Sequence, residues 1–313
     1  PETDVVSQPR WDKPRVAAYY YALEKNEDPA KKCQAAVSWL QADILDTYEV
    51  LTLSILEQIL IGNSASPLRK ALIDSGLGSA LSDASGYGAD NRDTMFSIGL
   101  KGVESDAAEE IEKIVMEVLE ALAANGIDPE LVESAIHQIE FHRKEVTNTP
   151  YPYGIKLLLT FGGSWFHGVD PARTLQFDED LEKLKKEIAE GPFLENKIRQ
   201  YFIDNTHRVL FKLLPDQSKE EKENRRVMAE LEEIMGGLSV NDIEKIKGDA
   251  EALKKLQENS EDVSVLPTLE LSEISPEVAK IRPTELTESA ELYRQPTSGI
   301  FYFSSAAGVG GLD

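Results

Sequence analysis

A chain of 313 residues with 56 acidic against 33 basic side chains has a formal net charge of −23. That balance excludes sequence-independent binding to nucleic acid or to an anionic membrane surface, which need clustered Lys and Arg, and favours cationic partners. The length allows one large core with an appendage, or two cores, and the single Cys33 excludes an internal disulfide and a cysteine-built zinc site. No apolar run approaches the ~20 residues of a bilayer span and no signal peptide opens the chain, so the expectation is a soluble protein of the cytoplasm or an organelle matrix.

In chain order, the tyrosine-rich run from Arg15 to Leu23 predicts a strand, and so does Cys33 to Leu40, where Cys33, Ala35, Val37 and Trp39 alternate onto one side. Asp46 has the character of an N-cap for an apolar helix ending near Gly62, one expected to be buried on most sides. A short helix after Ser66 is followed by the small residues Gly78, Ser79, Ala80, Ser82, Ala84 and Ser85. These predict a strand that another backbone could approach if it lies at a sheet edge. Thr94, Phe96, Ile98 and Leu100 then alternate toward a core as the returning strand of a hairpin.

Ile111, Ile114, Val115, Val118, Leu119 and Leu122 fall on one helical face that ends at Asn125 and Gly126. Asp128 and Pro129 start a second helix striped by Leu131, Val132, Ala135, Ile136 and Ile139, and both helices are expected on one sheet face. Further helices are expected over Tyr151 to Phe166, Phe177 to Ala189 and Phe193 to Asn205, before a strand with Val209, Phe211 and Leu213 stops at Pro215 and Asp216. Strands, then helices, then a returning strand predict an α+β domain over 1–216, with helices layered on a mostly antiparallel sheet.

The composition changes at Gln217. Residues 217–258 read as a helical hairpin: a charged helix striped by Val227, Leu231, Ile234 and Met235, a break at Gly236 and Gly237, and a second helix opened by the capping-box pair Ser239 and Asp242. An acidic, proline-punctuated linker follows over 259–298, and Ile300 to Phe303 resembles the opening strand of a next domain in 299–313. With Pro1 in place of Met and the stop just after that strand, both ends are expected to be cut from a longer polypeptide.

Little here suggests catalysis. His137, Glu140 and His142 share a helix, but the two histidines lie about 140° apart around its axis and cannot converge on one ion. His167 and His207 have no second histidine or cysteine nearby in sequence. Gly76 and Gly78 begin an incomplete dinucleotide fingerprint with Leu81 in the place of its last glycine, and neither a P-loop nor a nucleophile elbow occurs.

The stretch Ile61 to Leu68, the strand beginning at Leu77 and Gly78, the hairpin to Gly99, the paired helices to Val146 and the run Leu213 to Asp216 together resemble the insulinase/pitrilysin zinc metallopeptidases. The charged helical hairpin behind them resembles the presequence protease and falcilysin subgroup. This resemblance implies a metallopeptidase-like LuxS/pitrilysin architecture, in which four homologous domains form two halves that close around a peptide. The chain would be the second domain and the linker.

The zinc of such an enzyme would be held upstream, by an inverted His-x-x-Glu-His helix and a later glutamate. The corresponding helix here, Leu53 to Gly62, has no histidine, so the resemblance implies no catalytic residue, metal ligand or cofactor in this chain and zinc in the full-length protein. Carried over by position, the family's peptide-anchoring site falls on Gly62, Asn63 and Ser64 and on Leu81, Asp83 and Ser85. The implied partners are peptides, with a bias toward basic ones, and the remaining domains of the same polypeptide. Two other readings stand beside this one: an inactive family member serving as a scaffold or partner subunit, and a helical adaptor working through the hairpin.

Overall fold

The computed structural model describes residues 4–259, 263–277 and 280–307. They divide into two compact units, Pro1–Lys219 with the residues from Thr297 on, and Glu220–Pro296.

The first unit is built on a sheet of strand order β1-β6-β2-β5-β3, with β1 at Arg15–Ala22, β2 at Cys33–Asp43, β3 at Ala80–Leu81, β5 at Asp93–Val103 and β6 at Arg208–Asp216. A further short strand, β4 at Gly86–Gly88, also pairs with β5. All pairings are antiparallel except β1 with β6. The pleat sends alternate side chains to opposite faces. Val37, Trp39, Phe96, Ile98 and Leu100 are therefore buried under helices, joined from β6 by Leu210. The more conspicuous apolar set of β6, Val209, Phe211 and Leu213, turns to the other, half-open face, where Phe211 stacks on the exposed Tyr19.

Helix α1, Thr47–Ile61, starts where the Asp46 carboxylate accepts the Glu49 N–H at 3.0 Å. Leu53, Ile55, Leu56, Ile59 and Leu60 are all buried, as an apolar pattern without a polar side requires. Helix α2, Pro67–Asp74, follows directly, with proline in its first turn. Helix α3, Ala108–Asn125, lays Ile111, Val115 and Leu119 on β2, β5 and β6, and Gly126, at φ 90°, ends it. Helix α4, Pro129–Lys144, departs from expectation. It rests chiefly on α1 and not beside α3 on the sheet, because α3 already spans the available strands.

Helices α5 (Tyr153–Phe166), α6 (Pro171–Thr174) and α7 (Phe177–Glu190) follow. Helix α8, Phe193–Ile198, continues as a π-helical turn at Arg199–Ile203. That turn brings Phe202 into an aromatic cluster with Trp39 and Phe96.

The N-terminal segment is held by the buried Asp93, whose carboxylate accepts the Ser7 hydroxyl, the Gln8 N–H and the Arg10 guanidinium. Burial alone would raise the Asp93 pKa, but these donors outweigh it and the pKa is lowered.

In the second unit, α9 (Lys219–Gly237) and α10 (Val240–Glu258) form, and Ser239 and Asp242 complete the anticipated capping box. Neither helix buries a residue. Leu231, Ile234, Ile246 and Leu253 all remain about half exposed, so the two stripes do not close on each other as a packed hairpin would. The following segment contains only single 3₁₀ turns and the two-residue strands β7 (Glu285–Leu286) and β8 (Glu291–Leu292). The strand anticipated at Ile300 does not form in residues 300–307, where no described neighbour is present to bond its backbone; the remainder of that segment, 308–313, lies outside the described residues.

Candidate functional site

The small-residue segment does lie at the edge of the sheet, but it is not the continuous strand its composition suggests. Only Ala80 and Leu81 pair regularly with Lys101 and Leu100. The chain then turns at Ser82, with the Ser85 N–H donating to the Ser82 carbonyl, and resumes pairing at Gly86. The hydroxyls explain the break: those of Ser82 and Ser85 bond each other at 2.9 Å, and Ser85 also bonds the Gly99 backbone.

The edge is open over a very short length. The Ser82 N–H donates inward to the Gly99 carbonyl at 2.9 Å, so alternation turns the N–H and C=O of Leu81 outward. Asp83 is not free, since Lys101 Nζ lies 2.5 Å from its carboxylate and the Gln34 amide is at 3.0 Å. These two donors, Lys101 first, lower its pKa. Further along, the outward N–H of Tyr87 is already taken by Glu57 Oε1 at 3.3 Å, so α1 covers the edge at β4.

Gly62, Asn63 and Ser64 form a separate turn after α1. The Asn63 N–H donates to the Ser66 hydroxyl and the Ala65 N–H to the Asn63 side chain. Among the described residues no hydrogen bond joins this turn to Leu81, Asp83 or Ser85. The two halves of the anticipated site are linked through α2, which contacts both α1 and β3.

Would α1 fit the zinc that the resemblance implies for the homologous helix? Ser54-Ile55-Leu56-Glu57-Gln58 keeps the His-x-x-Glu-His spacing with serine and glutamine in the two histidine places. Gln58 Nε2 donates instead to Gln138 Oε1 on α4, and Glu57 caps the edge strand, its pKa raised by burial. Neutral amide and hydroxyl groups already bonded to protein are poor zinc donors, so these residues do not fit the metal. This pentad, legible by its spacing alone, is what the search for histidines passed over.

Of the histidines, His142 bonds the Gln138 carbonyl one turn back, and His137 is exposed on the same helix. His207 is buried and stacks on Trp11 at 3.9 Å, and it accepts the Trp11 N–H at Nδ1, which requires the neutral ring. Burial, then the charges of Arg10 and Arg15, lower its pKa. A histidine depressed in the folded state contributes full stability above its unfolded pKa of about 6.5, and that contribution is lost as pH falls below this value. The melting temperature should therefore drop more steeply between about pH 7 and 5 in the wild-type chain than in His207→Gln. Parallel curves would refute the linkage.

Comparison with known proteins agrees with this geometry. Residues 5–139 match the family described as Peptidase M16 inactive domain, and residues 213–313 match the family described as associated with subfamily C of the M16 peptidases. The chain is 30% identical over its whole length to the mitochondrial presequence protease of Xenopus laevis, covering 31% of that protein. It is 31% identical over 99% of its length to that of Mus musculus, covering 30%. To presequence protease 1, chloroplastic/mitochondrial, of Arabidopsis thaliana it is 33% identical over 85% of its length, covering 25%. The chain thus spans about a third or less of these relatives. With a histidine-free first helix and a matching fold, it belongs to the M16 peptidases as a noncatalytic, inactive-domain segment of the presequence-protease type.

Proposed function

We propose that this chain serves a peptide-degrading zinc metallopeptidase as chamber wall and peptide anchor, with 217–258 as the hinge between 1–216 and a domain that begins near 299. The zinc and the reacting groups belong to other domains of the same polypeptide, which are its constant partners. The observation that carries this reading is the open backbone of Leu81 beside a helix whose ligand positions are Ser54 and Gln58. A peptide adding there gains main-chain hydrogen bonds with little side-chain preference, and the anionic surface biases selection toward basic sequences. Gly62, Asn63, Ser64, Asp83 and Ser85 are assigned to the surrounding anchor. Among the described residues no helix is long and apolar enough to cross a membrane, and we place the parent protein in an organelle matrix or the cytoplasm.

Leu81→Pro removes the outward donor while leaving the inward bond of Ser82 intact. In the full-length polypeptide it should weaken binding of a basic peptide by about tenfold or more, measured by fluorescence anisotropy with circular dichroism unchanged. Affinity within about twofold of wild type would remove the anchor from this edge.

A further inference from the structure

Between α1, the loop after β4, and helices α4 to α7 lies a cavity of about 170 Å³. Its floor is apolar and buried, formed by Ile44 and Leu51 with Phe177 at the side. Two exposed charged side chains of opposite sign line it, Arg143 from the last turn of α4 and Asp90 from the loop. Neither side chain makes a hydrogen bond or ion pair among the described residues. The Arg143 guanidinium stands over the Phe177 ring at 5.6 Å, and the Asp90 carboxylate lies against α5, where a Cβ on Gly163 would come within 3.0 Å of it. The third charge in the lining, Asp180, is already neutralised by a two-bond fork from Arg173, both contacts at 2.7 Å.

We infer that this cavity binds a free α-amino acid with an aliphatic side chain of about leucine size. An apolar floor beneath one unpartnered cation and one unpartnered anion matches a molecule with a hydrocarbon side chain and a zwitterionic head. Arg143 takes the carboxylate through its planar fork, Asp90 takes the ammonium, and the side chain displaces water from Ile44 and Leu51. The volume, about six times the ~30 Å³ that one water occupies in the liquid, holds one such residue and no longer peptide. This site is separate from the sheet edge and does not rest on the anchoring role.

The test is isothermal titration of the 313-residue chain with leucine, N-acetyl-leucine and leucinamide. Leucine should bind, and loss of either charge from the probe should weaken binding by about tenfold. Arg143→Gln should bind leucine and leucinamide equally, and Asp90→Asn should bind leucine and N-acetyl-leucine equally, because each variant has lost the group that distinguishes its pair. No binding of leucine up to about 10 mM by the folded wild-type chain would overturn the inference. So would equal affinity for all three probes, or unchanged discrimination in either variant.

Discussion

Gly99→Ala should destabilise the first unit by about 3 kcal/mol or more, a fall of roughly 6–12 °C in melting temperature for a domain of this size. A Cβ at position 99 would stand 1.9 Å from the Ala35 carbonyl oxygen and 2.5 Å from the Ala36 Cα. Both are backbone atoms of β2, and β2 is clamped between β5 and β6, so it cannot retreat without breaking one ladder. The same residue accepts the Ser82 N–H at its carbonyl and bonds the Ser85 hydroxyl through its backbone, so the β3 edge should loosen with it. Thermal melts followed by circular dichroism decide the matter, and a midpoint within about 2 °C of wild type would show that β2 can yield.

Trp39→Ala should cost about 4 kcal/mol or more, a large share of the roughly 5–15 kcal/mol that domains have. Its ring is fully buried, edge-on to Phe202 at 5.3 Å and tilted against Phe96 at 6.2 Å. Its indole N–H donates at 2.9 Å to the carbonyl of Phe202, one of the groups left without a helical partner at the end of the π-helical turn. Truncation therefore opens a cavity and orphans a buried acceptor together. Trp39→Phe keeps most of the volume and loses only the donor, so urea unfolding should place it between wild type and Trp39→Ala, about 1–3 kcal/mol below wild type. If the two variants unfold at the same denaturant concentration, packing contributes little and the hydrogen bond carries the site.

Much of the first unit was legible before any coordinates. The alternation of Cys33, Ala35, Val37 and Trp39, the Asp46 cap, the stripe of α3 and the Ser239 and Asp242 box are local patterns with one stable outcome each. The small-residue strand was misjudged in length because serine hydroxyls compete for the backbone, and small size does not reveal which competitor wins. The apolar set of β6 invited a core assignment, yet Leu210 is the buried residue, since pairing to Val37 sets which face meets the helices.

By itself, then, the sequence determined the element order, the α+β class, the acidic character and the absence of histidine from the first helix, because these follow from composition and near-neighbour periodicity. Only the tertiary structure decided that the open edge is confined to Leu81, that Glu57 closes the rest of it, that Gln58 meets Gln138 from a distant part of the chain, and that Arg143 and Asp90 line one cavity. Each of these is a meeting of side chains distant in sequence, fixed by how α1, α4 and the sheet edge pack and invisible to any pattern of spacing along the chain.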